Sequence, residues 1–241
     1  INATLMILSM MIKLGVPPMH FWFTEMMKKL NWYNALILMT WQKIGPLSIM
    51  FQSLQKNEWS IIIIIYSMMV GAIGSLNQTS LQKIFAYSSI AHMSWMMMCM
   101  LNNQSWIYYL MIYSMLNWLI INVLKKNSIY YLNQMMMIKV PLIEKIMLIS
   151  LMLSMGGAPP FIGFYLKWMV IQSMIIDNNY IMIIMMIMMS LIMLFVYMRM
   201  MFTMILLNTT SQKWEMQKSP EQYHLMIIML NILLPLTMFY I

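Results

Sequence analysis

Long apolar stretches, broken by short polar punctuation, run through the whole chain. Eight are long enough to cross a bilayer, near 3–23, 33–53, 59–77, 84–101, 105–124, 146–176, 180–204 and 223–241, because about 20 helical residues rising 1.5 Å each cover a hydrocarbon core of about 30 Å. The pattern predicts an all-α, polytopic membrane protein of about eight transmembrane helices forming one domain over 1–241. The sixth stretch is too long for one straight helix, and an unwound crossing from Gly156 to Gly163 accounts for its excess. The longest connection, Lys125 to Lys145, is polar to amphipathic.

Two stretches share a motif. Lys13-Leu-Gly15-Val-Pro17-Pro18-Met-His20-Phe-Trp22-Phe-Thr-Glu25 is followed 142 residues later by Met155-Gly-Gly157-Ala-Pro159-Pro160-Phe-Ile-Gly-Phe164-Tyr165-Leu-Lys167. Aligned on the prolines, Trp22 and Phe23 fall on Phe164 and Tyr165, and Glu25 falls on Lys167. Proline lacks the N–H that an α-helix needs, so each motif interrupts its helix. The bland reading is two ordinary kinks. Interruptions in matching places of two halves, each with an ionisable residue close by, point instead to a transporter-type centre. The two motifs lie five spans apart, so they cross in opposite senses, as discontinuous helices of an inverted repeat do.

Composition agrees with the pattern. With 62% hydrophobic and 8% charged residues, and a mean hydropathy of +0.75, an ordinary soluble domain is excluded. Cys99 is alone, and His20, His92 and His224 are far apart, so neither a disulfide framework nor a metal site is expected. The net charge of +8 does not indicate nucleic acid, since the basic residues do not cluster with aromatics on a polar face. Alternating spans put Lys28, Lys29, Lys83, Lys125, Lys126, Lys139, Lys145, Arg199, Lys213 and Lys218 on one side and only Lys56 on the other. This is a positive-inside bias that a miscounted span would scramble, and it leaves both chain ends on the positive-poor side. The 39 methionines suggest an AT-rich genome in which an extra codon reads as Met, as in animal mitochondria.

Three basic residues remain, Lys13, Lys43 and Lys167, and all lie within hydrophobic spans. A charged lysine at mid-membrane costs roughly 2.5–3.5 kcal/mol on insertion scales. Snorkelling from a span end is one explanation, best suited to Lys167. A proton relay is the other, because a desolvated lysine can release and regain a proton where a surface lysine cannot. Pro17, Pro18 and Pro46 leave the carbonyls of Lys13, Leu14 and Gln42 without helical partners, so freed carbonyls that can hold an ammonium or a water lie beside Lys13 and Lys43. On the fourth span Ser88, Ser89, His92 and Trp95 form a polar stripe at helical spacing. The stripe suits His92 equally to proton relay and to an inter-helical hydrogen bond. His20, just after the first break, carries the same two readings; His224 opens the last span and reads as interfacial.

The runs Lys13-Leu-Gly-Val-Pro-Pro-Met-His-Phe-Trp, Met39-Thr-Trp-Gln-Lys43-Ile-Gly-Pro, Leu76-Asn-Gln-Thr-Ser-Leu-Gln-Lys83-Ile-Phe-Ala-Tyr-Ser-Ser-Ile-Ala-His92-Met-Ser-Trp and Gly156-Gly-Ala-Pro-Pro-Phe-Ile-Gly-Phe-Tyr-Leu-Lys167-Trp closely resemble the mitochondrial NADH dehydrogenase subunit 2 family. These are antiporter-like, proton-pumping subunits of respiratory complex I. The resemblance covers nearly the whole chain. It implies that Lys13, Lys43 and Lys167 belong to a central hydrophilic axis, that the Gly-x-Pro-Pro spans are the family's broken helices, and that His92 matches a motif histidine. Thr24 stands where the family usually has Pro, and Gln82 where it usually has Arg or Lys.

Animal members of that family carry further spans before the residue matching Ile1, including a membrane glutamate that pairs with the first lysine. An N-terminally incomplete chain is therefore expected, although a shortened native gene with an unusual start codon would also explain it. No phosphate-binding glycine loop, cysteine cluster or haem-ligand arrangement occurs in the sequence. The resemblance accordingly implies NAD, FMN, iron–sulfur clusters and ubiquinone in other parts of a complex. It also implies the mitochondrial inner membrane, both ends facing the intermembrane space, and neighbouring subunits 4L and 4 with a lateral helix of subunit 5. Basic loops of this kind also suit cardiolipin. A free-standing monovalent cation/proton antiporter and a purely structural membrane-arm spacer are the rival classes; the first would purify alone, and the second would not need titratable lysines.

Overall fold

The computed structural model of the chain describes residues 2–54, 58–102, 106–137, 141–206, 227–228 and 231. These form α1 (Asn2–Leu14), α2 (Phe21–Lys29), α3 (Trp32–Met39), α4 (Trp41–Ser53), α5 (Glu58–Leu76), α6 (Leu81–Leu101), α7 (Trp106–Lys126), α8 (Leu132–Met137), α9 (Leu142–Gly156), α10 (Ile162–Ile176) and α11 (Tyr180–Leu206). Among the described residues the only extended pairing is an isolated bridge between Ser80 and Tyr131. The fold is an all-α membrane bundle.

Four helices, α5, α6, α7 and α11, are continuous and long and apolar enough to cross a membrane, in the places where the apolar runs put them. Helix α6 is the axis of the bundle: 94% of its apolar stretch is buried, against 33–56% for the other three. A central helix meets protein on every side, which is why its polar stripe can be satisfied by neighbours. Helices facing lipid keep large apolar residues outward, as α11 does with Ile181, Ile184, Met188, Leu191 and Phe195. The predicted span 146–176 consists of two shorter helices, α9 and α10, whereas the predicted span 3–23 holds α1 and the first break, and α2 starts at its end and runs on to Lys29. The predicted span 223–241, with His224, lies outside the described residues apart from 227, 228 and 231.

One predicted span is corrected. The stretch 33–53, read as a single helix, divides at Thr40, where the backbone turns to φ −119° and ψ −70°. The Thr40 hydroxyl donates to the Leu36 carbonyl at 2.8 Å, a back-bond of the kind that bends helices. Pro46, the more obvious breaker, sits inside α4.

The two Gly-x-Pro-Pro breaks have the same backbone design. In the first, Gly15 N–H donates to Ile12 O, Val16 N–H to Met11 O and Met19 N–H to Val16 O. In the second, 142 positions on, Gly157 donates to Ser154, Ala158 to Leu153 and Phe161 to Ala158. The first two bonds of each set form a Schellman C-cap, which needs a left-handed residue. Gly15 (φ 68°) and Gly157 (φ 79°) supply it. Pro-Pro follows and prevents the helix from resuming at once.

Described basic loops gather at one end of the bundle. Glu25 of α2 meets Lys83 at the start of α6 at 2.6 Å, and Lys126 at the end of α7 meets Glu144 at the start of α9 at 2.9 Å. Arg199 donates to the carbonyls of Leu76 and Gln78. Gln82 donates to Leu30 O, the Trp32 indole to Ile129 O, and Leu81 and Leu132 bond across to Tyr130 and Thr79. The first broken pair therefore reaches this end with α2, and the second leaves it with α9.

Candidate functional site

Lys43 lies in the first turn of α4, just after the Thr40 break, and is 2% exposed. Its ammonium donates to the Ser89 carbonyl of α6 at 3.3 Å. It also lies over two aromatic rings, 5.6 Å from the centroid of Phe23 on α2 and 5.7 Å from that of Tyr113 on α7. Of the two occupants the freed Gln42 carbonyl could take, an ammonium or a water, it does not take this ammonium, whose partner is on another helix. A helical side chain projects outward and back towards the N-terminus, whereas the carbonyls of its own helix point the other way.

His92, one turn after Ser89, shares a 2.9 Å hydrogen bond between its Nδ1 and the Tyr109 hydroxyl. Its ring centroid is 4.9 Å from that of Tyr113. The stripe read from the sequence is thus filled by two tyrosines of α7, one turn apart, which sequence reasoning missed. His92 also lies within electrostatic reach of both Lys43 and Lys167.

Lys167 sits in α10, buried against the second break, and its ammonium donates to Gly156 O at 2.6 Å. That carbonyl ends α9, where the helix dipole is negative. Here a backbone group freed by a Gly-Pro-Pro break does hold a lysine, whereas the freed carbonyls evident in the sequence lie beside Lys13 and Lys43. Between Lys167 and His92 is a cavity of about 10 Å³, lined also by Trp95 and Tyr197, room for about one water. The Trp95 indole N–H and the Tyr197 hydroxyl are buried and meet no hydrogen-bond partner among the described residues, although Ser88 lies beside Tyr197.

Lys43, His92 and Lys167 are therefore brought together around α6. The other two candidates are not. Lys13 is exposed on the last turn of α1. The carbonyl next to it, Ile12 O, is taken by the indole N–H of Trp22 at 2.9 Å. His20 is 7% exposed at the first break, with its ring 4.1 Å from that of Phe21 and 6.3 Å from that of Tyr87. Its Nδ1 is buried and meets no hydrogen-bond partner of good geometry among the described residues, although the Pro18 backbone lies beside the ring. Among the described residues no group of three or more His, Cys, Asp or Glu could hold a metal ion.

Two buried lysines within electrostatic reach of a histidine, each bonded to a backbone carbonyl, form a set of groups able to hold and pass protons through an apolar bundle. The fold agrees with solved membrane assemblies. It superposes on a chain of respiratory complex I from Thermus thermophilus with a TM-score of 0.78 at 19% identity, covering 97% of this chain and 57% of that one. It superposes on a chain of the Mrp complex from Dietzia with a TM-score of 0.73 at 15% identity, covering 90% and 43%. In sequence, the chain is 38% identical over 90% of its length to NADH-ubiquinone oxidoreductase chain 2 of Anopheles gambiae, and spans 64% of that relative. The family described as NADH:quinone oxidoreductase/Mrp antiporter, TM, matches residues 1–194. Sequence match, relatives and bundle agree, and the chain belongs to the NADH:quinone oxidoreductase/Mrp antiporter transmembrane family.

Proposed function

We propose that the chain is a core membrane-arm subunit of a proton-translocating NADH:ubiquinone oxidoreductase, and that Lys43, His92 and Lys167 carry protons through it. The observation that carries this reading is the placement of two lysines and a histidine inside a membrane bundle with backbone carbonyls, rather than carboxylates, as the lysines' partners. A protein that only fills space in a membrane would not keep such costly groups. The redox chemistry, with NAD, FMN, iron–sulfur clusters and ubiquinone, belongs to other subunits, and Lys13 and His20 extend the path where a neighbouring surface meets α1 and the first break.

The name of the mosquito relative supports a place in the mitochondrial inner membrane. The loop charges support an orientation with the basic end in the matrix and both chain ends towards the intermembrane space. Partners of the type implied are the membrane subunits 4L and 4, a lateral helix of subunit 5, and cardiolipin at the basic end. The likeness to the Mrp chain favours a second reading, a free-standing cation/proton antiporter; the native protein would then purify apart from any NADH-oxidising assembly.

The test is Lys43→Arg beside Lys43→Ala in the assembled complex. Arginine keeps a positive charge but does not deprotonate, its pKa exceeding about 12. Both variants should lose NADH-driven proton translocation while electron transfer from NADH to an upstream artificial acceptor survives. An Arg variant that assembles and pumps at the wild-type proton-to-electron ratio would reduce Lys43 to a fixed charge.

A further inference from the structure

Lys43 has an unusual environment for a buried cation. Among the described residues the ion pairs are Glu25 with Lys83 and Lys126 with Glu144, and neither includes it. One carbonyl at 3.3 Å is a small complement for an ammonium with three N–H donors. The remaining stabilisation comes from the faces of Phe23 and Tyr113, which are 2% and 1% exposed. A cation over an aromatic face gains most where water is excluded from both. The two rings differ in reach. Phe23 otherwise meets the neighbouring ring of Trp22, while Tyr113 also contacts His92, with centroids 4.9 Å apart and planes tilted by 44°. Among the described aromatic rings, Tyr113 is thus the one that lies against both Lys43 and His92.

We propose that Tyr113 is the positioning residue of this centre: its ring seats the Lys43 ammonium against α6 and ties that seat to the imidazole of His92. The inference rests on the proton-path reading of Lys43 and His92. The aromatic face is the working part. Among the described residues the hydroxyl receives no hydrogen bond from Lys43 or His92, and the polar groups beside it are those of Asn117 and Ser89. A charge on Lys43 changes the field at His92 across a medium that screens poorly, and the shared ring holds the two groups in the geometry at which this coupling acts. Tyr109 supports the arrangement from the same face of α7 by holding His92 Nδ1.

The experiment measures NADH-driven acidification per NADH oxidised in the assembled complex carrying Tyr113→Phe, Tyr113→Leu or Tyr113→Met. Assembly and electron transfer to an upstream artificial acceptor are measured for each. Phe keeps the ring. Leu and Met remove it, and Met packs readily into irregular cores. The Phe variant should pump at the wild-type ratio, while Leu and Met lower the ratio by about thirtyfold with the upstream activity intact, the equilibrium factor expected for losing one desolvated cation–π contact. Wild-type pumping by an assembled Leu or Met variant overturns the proposal, and so does a Phe variant as defective as Met, which would transfer the role to the hydroxyl. If neither ring-deleted variant assembles, the ratio for Phe decides alone: wild-type supports the ring, loss refutes it. Lys43→Ala is the control for the underlying reading. If it pumps normally, the proton path itself is wrong; if it fails while Tyr113→Leu pumps, only the role of Tyr113 is lost.

Discussion

The ammonium of Lys167 closes onto the carbonyl of Gly156 across 2.6 Å, so that a side chain of α10 caps the end of α9. The cap depends on Gly157 between them. A Cβ there would meet Lys167 Cδ and Nζ at 2.8 Å, and the backbone is left-handed at φ 79°. Gly157→Ala should therefore destabilise the second break by roughly 1–2 kcal/mol from the left-handed backbone alone and displace Lys167. Gly156→Ala should be tolerated, because its Cβ would meet Leu194 and Tyr197 no closer than 3.4 Å. Levels of assembled complex and pumping ratios in the two variants check this; equal behaviour would mean that Lys167 does not depend on the break.

The first break is closed differently, by the Trp22 indole on Ile12 O at 2.9 Å. Trp22→Phe puts a ring without a donor where the second half has Phe164. A single neutral hydrogen bond at a half-exposed site contributes about 0.5–1.5 kcal/mol. Amide exchange at Gly15 and Val16 should accelerate by about the corresponding factor, up to roughly tenfold, with little change at Gly157 and Ala158. Unchanged exchange would show that the indole holds nothing.

At the basic end, the Lys83 ammonium bonded to Glu25 holds its carboxyl below the ordinary carboxylate range, with a smaller contribution from Lys28 and Lys29. A depressed folded-state value means that the pair contributes above the ordinary range and is lost as pH falls through the depressed one. Detergent-solubilised complex should lose the α2–α6 tie only in acid, and Glu25→Gln should remove that acid-side dependence while leaving the neutral-pH melting temperature nearly unchanged. The pair is exposed, so a large shift at neutral pH would contradict a surface ion pair.

Membrane orientation is open to labelling. Lys28, Lys29 and Lys125 are exposed on the basic end. An impermeant amine reagent should modify them from the matrix face in inner-membrane vesicles and not from the opposite face, whereas Lys56 should react only from the opposite face. Reaction of Lys125 and Lys56 from one face would break the alternation of spans.

Much of this architecture is legible in the residues. Continuous apolar runs become α5, α6, α7 and α11 because in a membrane only a helix satisfies its own backbone. Gly15 and Gly157 announce the breaks because few other residues adopt a positive φ cheaply. The division at Thr40 is not legible, since a lone threonine in an apolar run is usually helical and its bend depends on packing and on one side-chain bond. Lys43, His92 and Lys167 stand out as polar groups in apolar runs, but a sequence gives no rotation for α1, and Lys13 proves to be exposed. Tyr109 and Tyr113 are hidden for the opposite reason: aromatic residues one turn apart are ordinary in a membrane helix. Only the packing of α7 on α6 shows what they touch.

The two breaks share a backbone but not a fastener. An indole N–H does not ionise, so the joint between α1 and α2 has the same strength whatever charge passes through the bundle. The joint between α9 and α10 is fastened by a group that can change charge, and a neutral amine is a weaker hydrogen-bond donor than an ammonium. On the proposed proton path, stiffness is therefore a constant in the first half of the molecule and a variable in the second, set by the proton on Lys167.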